Sequence, residues 1–163
     1  MLMSTDHPQT AAKLAAWLGQ DSAKNVLQAI KRLNQHYLDT NRSFRIEQVA
    51  RGWQIMTQPD YADLMAAVHK SKTATRLSPA ALETLAIIAY EQPILRAQVE
   101  AIRGVASGEV IRGLMDRRLV KIVGRAEEPG RPMLYGTTGS FLEVFGLASI
   151  KDLPKVEQLW HRA

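Results

Sequence analysis

The feature that most constrains the fold of this chain is a short module that occurs twice. A shift of 85 residues places Gly19 on Gly104 and Ser22 on Ser107. In each copy an apolar helical face ends at the glycine, and the serine three residues later is predicted to cap the next helix, with Asp21 as an alternative to Ser22 in the first copy. Further positions agree under the same shift: Ala12 with Ala97, Leu14 with Val99, and Val26 with Ile111. The sequence therefore predicts a duplicated domain.

The first copy predicts the order helix, helix, two-stranded wing, helix. Thr10 caps a helix whose inward side chains are Ala11, Leu14, Ala15 and Leu18. The second helix fades near residues 39–41, with Val26, Ile30, Leu33 and Tyr37 inward and Lys24, Lys31, Arg32 and Gln35 outward. Alternation predicts two strands around a turn at Arg51–Gly52, and Pro59 begins the last helix. Trp17 and Trp53 fall on apolar positions, which indicates core packing for both.

The second copy repeats this order after an additional leading helix. Ser78 caps that helix, Pro79 begins it, and its predicted inward residues are Leu82, Leu85, Ala86 and Ala89. A short helix over residues 96–103 and a third helix capped by Ser107 follow, with Val110, Ile111 and Leu114 inside. Residues 119–123 and 133–137 are predicted strands, and Pro132, which has no N–H to donate, indicates an edge position. Phe141, Leu142 and Phe145 supply a closing helix.

These patterns predict a mainly α protein with small β wings (α+β), built as two tandem winged-helix domains. The predicted bounds are 1–68 and 77–150 for the two domains, with a basic linker at 69–76 and a tail at 151–163. The first helix of the N-terminal domain is largely missing, because Met1–Met3 supplies only what would be its last turn. Either the chain is trimmed or started late, or this domain is naturally minimal. Trp160 in the tail is interpreted as an exposed anchor or a frayed-end residue.

Two segments carry a resemblance to a known family. They are Leu82–Ile94 with Arg96–Val105, and Gly130–Thr138 with the later pieces Phe141-Leu142, Phe145-Gly146-Leu147 and Asp152-Leu153-Pro154. In their order and content they resemble the segregation and condensation protein B (ScpB) family, the non-enzymatic accessory subunit of prokaryotic condensin. The resemblance implies a role in chromosome condensation and segregation before cell division, in the cytoplasm at the nucleoid.

The resemblance also implies partners. It implies a homodimer that embraces the central segment of the kleisin subunit ScpA, which in turn bridges the heads of an SMC ATPase. The dimer surface is then expected within residues 1–68, and Trp53 suits an interface anchor there as well as a core position. The kleisin surface is expected in the second half, around Tyr90, Pro93, Arg96, Tyr135 and Phe145. For Tyr90 and Phe145, filling the core remains an equal alternative.

The distribution of charge bears on DNA binding. Of the formal net charge of +5, three units lie in the linker at Lys70, Lys72 and Arg76, and each predicted domain is near neutral. At the second recognition helix, Glu109 and Asp116 would repel phosphates, so the charge favours protein binding. We expect at most weak, sequence-independent DNA contact through the linker bases. The alternative is a winged-helix transcription regulator, which would use Lys24, Gln28, Lys31, Arg32 and Gln35 of the first recognition helix.

The sequence indicates neither an enzyme nor a cofactor-binding protein. There are no cysteines, and the four histidines lack the spacing of a metal site. The glycine-containing turns are not followed by the Lys-Ser/Thr of a nucleotide-binding loop, and Glu127-Glu128 lies in a Pro-Gly loop. No apolar run approaches the roughly 20 residues of a membrane span, and no signal peptide is visible. We therefore expect no catalytic residues, no cofactor, no metal and no membrane.

Overall fold

The computed structural model describes residues 1–20, 22–68 and 77–155, and these residues form two compact units. The first unit contains the described residues of Met1–Thr75 together with Gly146–Ser149, and the second contains those of Arg76–Phe145 and from Ile150 onward. The segment 146–149 joins the first unit because the backbone N–H groups of Ala50 and Arg51 donate to the carbonyls of Leu147 and Ala148. The domain bounds drawn from the sequence stay a prediction, and the linker 69–76 lies outside the described residues.

The first unit is a helical hairpin followed by a two-stranded wing and a short helix. A 3-10 turn at Leu2–Ser4 comes first. The elements after it are α1 (Ala11–Trp17), α2 (Ala23–Asp39), β1 (Phe44–Val49), β2 (Gly52–Thr57), a 3-10 turn (Pro59–Tyr61) and α3 (Ala62–Val68). The strands pair antiparallel, with Ile46 opposite Ile55. The turn between them lies at Ala50 and Arg51, both with positive φ, one residue before the predicted position.

The caps and the core of the first unit follow the sequence pattern in part. The Thr10 hydroxyl accepts from the N–H of Lys13, and the Ser22 hydroxyl from that of Lys24, which confirms both caps. The buried core consists of Leu14, Ala15, Val26, Ile30 and Ile46.

Three residues predicted to lie inside the first unit are instead exposed. Leu18 is 52% exposed because α1 ends at Trp17, and Leu33 is 42% exposed. Leu33 belongs to the wall of a cavity of about 290 Å³ that Met1–Met3 only partly covers. Trp17 is 46% exposed, and the Lys13 ammonium lies 4.9 Å from the centre of its ring.

The second unit has a leading helix, a helix-turn-helix pair and a three-stranded wing. Its elements are α4 (Pro79–Glu91), β3 (Ile94–Leu95), α5 (Arg96–Arg103), α6 (Gly108–Asp116), β4 (Val120–Arg125), β5 (Met133–Thr137), α7 (Gly139–Phe145) and a 3-10 turn (Ile150–Asp152). The strand order is β3-β5-β4, all antiparallel. The sequence missed β3, which has only two residues.

The interpretation of Pro132 as an edge residue is wrong. The strand that it precedes, β5, is the central one. Pro132 lies one residue before β5, and its carbonyl accepts a hydrogen bond from the N–H of Ala126. Because Pro132 is outside the strand, the N–H that it lacks is not needed for pairing within the sheet. The rule on proline applies to residues inside a strand, and Pro132 is outside this one.

The inward face predicted for α4 is wrong at two positions. Leu82 and Ala86 are exposed, and the buried residues are Thr84, Leu85, Ile88 and Ala89. Because α4 is apolar on every side, its sequence does not mark which face turns inward. The hydroxyl of the buried Thr84 has a hydrogen-bond partner, since it donates to the carbonyl of Ala80 at 2.7 Å.

The predicted cap at Ser107 is also corrected. Ser107 is the residue before α6, but its side chain caps no backbone N–H of that helix. Instead its own N–H donates to the carboxylate of Glu100 at 2.8 Å, and its hydroxyl accepts from Arg103. The turn is therefore closed by side chains of α5. The glycine stop is the same in both units, since Gly19 has φ of 63° and Gly104 of 70°.

The fold-class prediction is confirmed: a mainly α chain carries two small antiparallel sheets in a winged-helix order that occurs twice. The final helix of the second unit, α7, contains all three residues predicted for it. Within the described residues, no helix combines the length and the apolar character that crossing a bilayer would require.

Candidate functional site

Three surface grooves, one in the first unit and two in the second, contain four of the six residues that the sequence predicted for partner binding. Among the described residues, no three His, Cys, Asp or Glu side chains come together as a metal site. The bases Lys70, Lys72 and Arg76 lie outside the described residues. The grooves are therefore considered as surfaces for a macromolecular partner.

The first groove, here called the Trp53 groove, lies between α2 and the first wing and encloses about 560 Å³. Trp53 is half-buried and packs against the core of the first unit, so its ring serves the core and the groove together. Its backbone is fixed by two hydrogen bonds with Gln9, of 2.8 and 3.0 Å. The lining residues are Leu27, Ile30, Lys31, Asn34, Gln35, Tyr37, Leu38, Phe44, Arg45, Trp53 and Gln58.

The α2 side of this groove mixes apolar and basic side chains. Leu27 and Leu38 are 43% and 67% exposed, and the exposed Lys31 stands between them on the same helix. Only polar residues were predicted on this outward side, so both leucines differ from the prediction. Their spacing of eleven residues, three helical turns, is the signal that could have found them. Exposed leucines at a helix surface suit contact with another apolar surface better than with phosphates.

The second groove, here called the Tyr135 groove, brings together two residues that the sequence predicted separately. Arg96 and Tyr135 both line it, because β3 pairs with β5 and holds the start of α5 beside the wing. It encloses about 390 Å³, and its lining residues are Leu95, Arg96, Ala97, Glu100, Glu128, Pro132, Met133 and Tyr135. Met133 was not among the predicted site residues, although it is a flexible apolar side chain of the type that adapts to a bound partner.

Arg96 is held in place by an ion pair within α5. Its Nε donates to the carboxylate of Glu100 at 2.8 Å, and this interaction raises the pKa of Arg96. The pKa of Glu100 lies below its usual range, first because the backbone N–H of Ser107 donates to its carboxylate and then because Arg96 does. Gly108 leaves the space for the guanidinium, since a Cβ there would stand 2.9 Å from the Arg96 Cζ. The groove thus presents a positive group in a fixed position.

The third groove, here called the Tyr90 groove, lies at the C-terminal end of α4 and encloses about 600 Å³. The hydroxyl of Tyr90 donates to the carbonyl of Pro154 at 2.8 Å, and 37% of this residue is exposed. Tyr90 therefore does not simply fill the core. The other lining residues are Ala89, Gln92, Ile150, Lys151, Leu153, Pro154 and Lys155.

The two remaining predicted residues stand apart from these linings. Pro93 is exposed in the turn that joins α4 to β3. Phe145 is 45% exposed at the end of α7, and its ring centre lies 4.7 Å from that of the buried Phe141. One side of Phe145 thus extends the core of the second unit while the other side is open. Their role in partner binding stays a prediction.

Comparison with known proteins assigns the family. The family described as "Segregation and condensation complex subunit ScpB" matches residues 1–156. The chain belongs to this family. A "Segregation and condensation protein B" from Syntrophotalea carbinolica is 44% identical to it over 158 residues, which are 97% of this chain and 79% of the relative.

A second relative with the same description agrees with this assignment. This relative, from Halalkalibacterium halodurans, is 47% identical over 133 residues, which are 82% of this chain and 68% of the relative. A crystal structure of ScpB from Mycobacterium tuberculosis is 33% identical and matches 90% of each chain, with a TM-score of 0.44. The resemblance inferred from the motifs of residues 82–154 is thus confirmed at the level of the family.

Proposed function

We propose that this chain is a non-enzymatic accessory subunit of a prokaryotic condensin-like SMC–kleisin complex. It acts in chromosome condensation and segregation before cell division, in the cytoplasm at the nucleoid, by binding the kleisin subunit as a homodimer. The observation that carries the proposal is the family match over residues 1–156. The SMC ATPase is then an indirect partner, reached through the kleisin.

The grooves supply a physical basis for binding a protein. The Tyr135 groove offers apolar walls from Leu95 and Met133 around a fixed guanidinium and a tyrosine hydroxyl. An apolar centre with a few polar groups at fixed positions is typical of sites that anchor a partner's side chains. We propose that a kleisin segment occupies this groove, with contacts that extend toward Tyr90, Pro93 and Phe145.

The dimer surface is proposed in the first unit, at the Trp53 groove. Leu27 and Leu38 would be covered there by a second copy of the chain, and Trp53 would anchor the contact. If Trp53 acts as an anchor, Trp53→Ala gives a folded monomer. If its core contacts dominate, the same change unfolds the first unit. Circular dichroism combined with sedimentation separates these outcomes.

A winged-helix transcription regulator is the alternative function. The exposed Lys24, Gln28 and Lys31 on α2 favour it, because such side chains suit phosphate and base contacts. Against it, the same helix exposes two leucines, and α6 exposes Glu109 and Asp116. We therefore expect DNA contact to be weak and non-specific, through Lys70, Lys72 and Arg76.

Two measurements test the proposed function: the molar mass of the protein in solution, and the heat of mixing it with a kleisin segment. Light scattering of the protein alone should give a dimer, and calorimetry with the central segment of a kleisin should give binding. Tyr135→Ala should weaken that binding. Tyr61→Ala, which removes an exposed tyrosine from the first unit, should leave it unchanged. A protein that stays monomeric at high concentration and gives no heat with any kleisin segment would refute the assignment.

A further inference from the structure

The planar guanidinium of Arg96 has one face covered by the backbone of Gly108. The Cβ that an alanine at position 108 would carry lies 2.9 Å from the Cζ of Arg96, and 3.0 and 3.2 Å from its two Nη atoms. A point beyond the edge of the planar group would lie nearer to the nitrogens than to Cζ. Gly108 therefore packs against a face of the guanidinium and not against its edge.

The other sides of the guanidinium are less occupied. Its Nε donates to Glu100 at 2.8 Å, which fixes the rotation of the plane, and 55% of the Arg96 side chain is exposed. Among the residues that the structure describes, no aromatic ring stacks on the guanidinium and no acceptor binds its Nη groups. Arg96 thus offers the Tyr135 groove a flat cationic face in a fixed orientation.

The charges around Arg96 decide which side chain of a partner suits this face. The lining of the groove holds one positive group, Arg96, against two carboxylates, Glu100 and Glu128. Glu109 is also near, since it raises the pKa of Arg96 further after the larger effect of Glu100. A carboxylate brought by the partner would meet these like charges. An aromatic ring has no net charge, and the negative face of its quadrupole attracts a cation.

The rest of the groove also suits an aromatic ring. Leu95, Pro132 and Met133 supply apolar surface, and the sulfur of a methionine makes favourable contacts with ring edges. The groove encloses about 390 Å³, whereas a cavity of about 150 Å³ is enough to bind benzene. A guanidinium stacks well on a ring because it is planar and more weakly hydrated than an ammonium.

We propose that the Tyr135 groove recognises an aromatic side chain of the kleisin segment, which stacks on the open face of the Arg96 guanidinium. At this place the groove discriminates against an acidic side chain. Gly108 and Glu100 are positioning residues, because one supports the plane from behind and the other sets its rotation. The inference rests on the proposed function, since the partner is the kleisin, and it adds the chemistry by which this groove selects the segment.

NMR of the full chain with ¹⁵N-labelled arginine tests the stacking, with the central segment of a kleisin as the probe. Loss of a signal in Arg96→Lys assigns the Nε–H of Arg96. On binding, this signal should move upfield, because the π electrons of a ring shield protons that lie over its face. Leucine in place of each aromatic residue of the segment, one at a time, should abolish the shift at one position. Binding measured by calorimetry should weaken about fivefold at that position.

Variants of the segment and of the protein then separate stacking from simple apolar burial. Pentafluorophenylalanine at that position keeps the shape but reverses the quadrupole, so it should bind as weakly as leucine, and glutamate more weakly still. Arg96→Lys keeps the charge but loses the plane and should weaken binding about fivefold. Arg112→Lys, the same change at an exposed arginine of α6, should leave it unchanged. Gly108→Ala should weaken binding by displacing the guanidinium, with circular dichroism reporting the fold.

The outcomes distinguish this inference from the function on which it rests. A segment that binds without moving the Arg96 signal would overturn the inference and leave the proposed function standing. Tighter binding with glutamate than with leucine would overturn it too, since Arg96 would then be a receptor for carboxylates. Equal affinity for phenylalanine and its pentafluoro form would show apolar burial alone, with the same consequence. Absence of binding by any kleisin segment would overturn both.

Discussion

The side chain of Asn34 forms two hydrogen bonds with the backbone of Ile46. Its Nδ2 donates to the Ile46 carbonyl, and its Oδ1 accepts from the Ile46 N–H, both at 2.8 Å. Ile46 lies in the outer strand of the first wing and its side chain is part of the core. Asn34 thus pairs the outward backbone groups of β1 as a neighbouring strand would, and joins α2 to the wing.

Asn34→Ala should destabilise the first unit. The change leaves a donor and an acceptor of part-buried backbone without partners, which costs about 1–3 kcal/mol. Urea denaturation followed by circular dichroism measures the loss. The matched control is Asn25→Ala on the same helix, where the side chain makes one exposed bond of 3.4 Å to Gln20, and we expect a change within about 0.5 kcal/mol. Equal effects of the two changes would contradict the role assigned to Asn34.

Two glycines of the second unit should respond to alanine with opposite signs. Gly104 has φ of 70°, so Gly104→Ala should cost about 1–2 kcal/mol through backbone strain alone, because an added Cβ meets nothing within 4 Å. Gly113 lies inside α6 with equally open space, and Gly113→Ala should stabilise by about 0.5–1 kcal/mol. Thermal unfolding of both variants checks this. The same sign for both would show that side-chain space, rather than φ, governs these positions.

How far the sequence determines this structure differs from element to element. The end of α5 at Gly104 and the capping of α4 by Ser78 were predictable. Each depends only on residues next to one another in the sequence: a glycine that can adopt a positive φ, and a serine hydroxyl that accepts a hydrogen bond from the first turn of the helix. The inward face of α4 was not predictable, because apolar residues occur on all sides of this helix and the sequence therefore does not distinguish the buried face. The prediction that Ser107 caps α6 was wrong for another reason. Ser107 hydrogen-bonds with Glu100, which is seven residues away and therefore beyond any local capping pattern.

The candidate site was predictable in its residues but only partly in its geometry. Arg96 and Tyr135 were singled out by the family motifs, yet their common groove depends on β3, a strand too short to leave a periodic signal. Leu27 and Leu38 were missed because polar residues on the same helix dominate its outward side. Long-range pairing and the choice of an apolar face are decided by packing, which the local pattern does not contain.

The stability of the second unit should depend on pH through Glu100. In the folded protein the pKa of Glu100 lies below the value of 4.5 that an unperturbed glutamate has. The carboxylate therefore contributes its full stabilisation above pH 4.5, and this contribution is lost as the pH falls through the folded-state pKa. Urea unfolding at neutral and at acid pH should show the gap between wild type and Glu100→Gln shrinking on acidification. Arg96→Gln should remove only part of the pH dependence, because the Ser107 N–H contributes most to the shift. A constant gap would contradict this account.

Hydrogen exchange should protect residues 82–89 more strongly than residues 11–18. The core under α4 includes Leu85 and Ile88, which are at most 1% exposed, whereas the core of the first unit borders the open cavity of about 290 Å³. Amides of the more closely packed element open less often. Mass spectrometry of peptides from both helices at several times measures this. The reverse order would show that dimerisation, or another cover, protects the first core.

Binding of the kleisin segment should survive raised salt, and binding of DNA should not. The proposed kleisin contacts at the Tyr135 groove are mainly apolar, and burial of apolar surface is little screened by ions. Contact with phosphates releases counterions, so its affinity falls steeply with salt, and the few bases of residues 69–76 neutralise few phosphates. Calorimetry with the segment and anisotropy with labelled duplexes, each at low and high salt, compare the two. Nanomolar discrimination between DNA sequences at physiological salt would instead favour the transcription regulator, because only base readout by the recognition helices produces it.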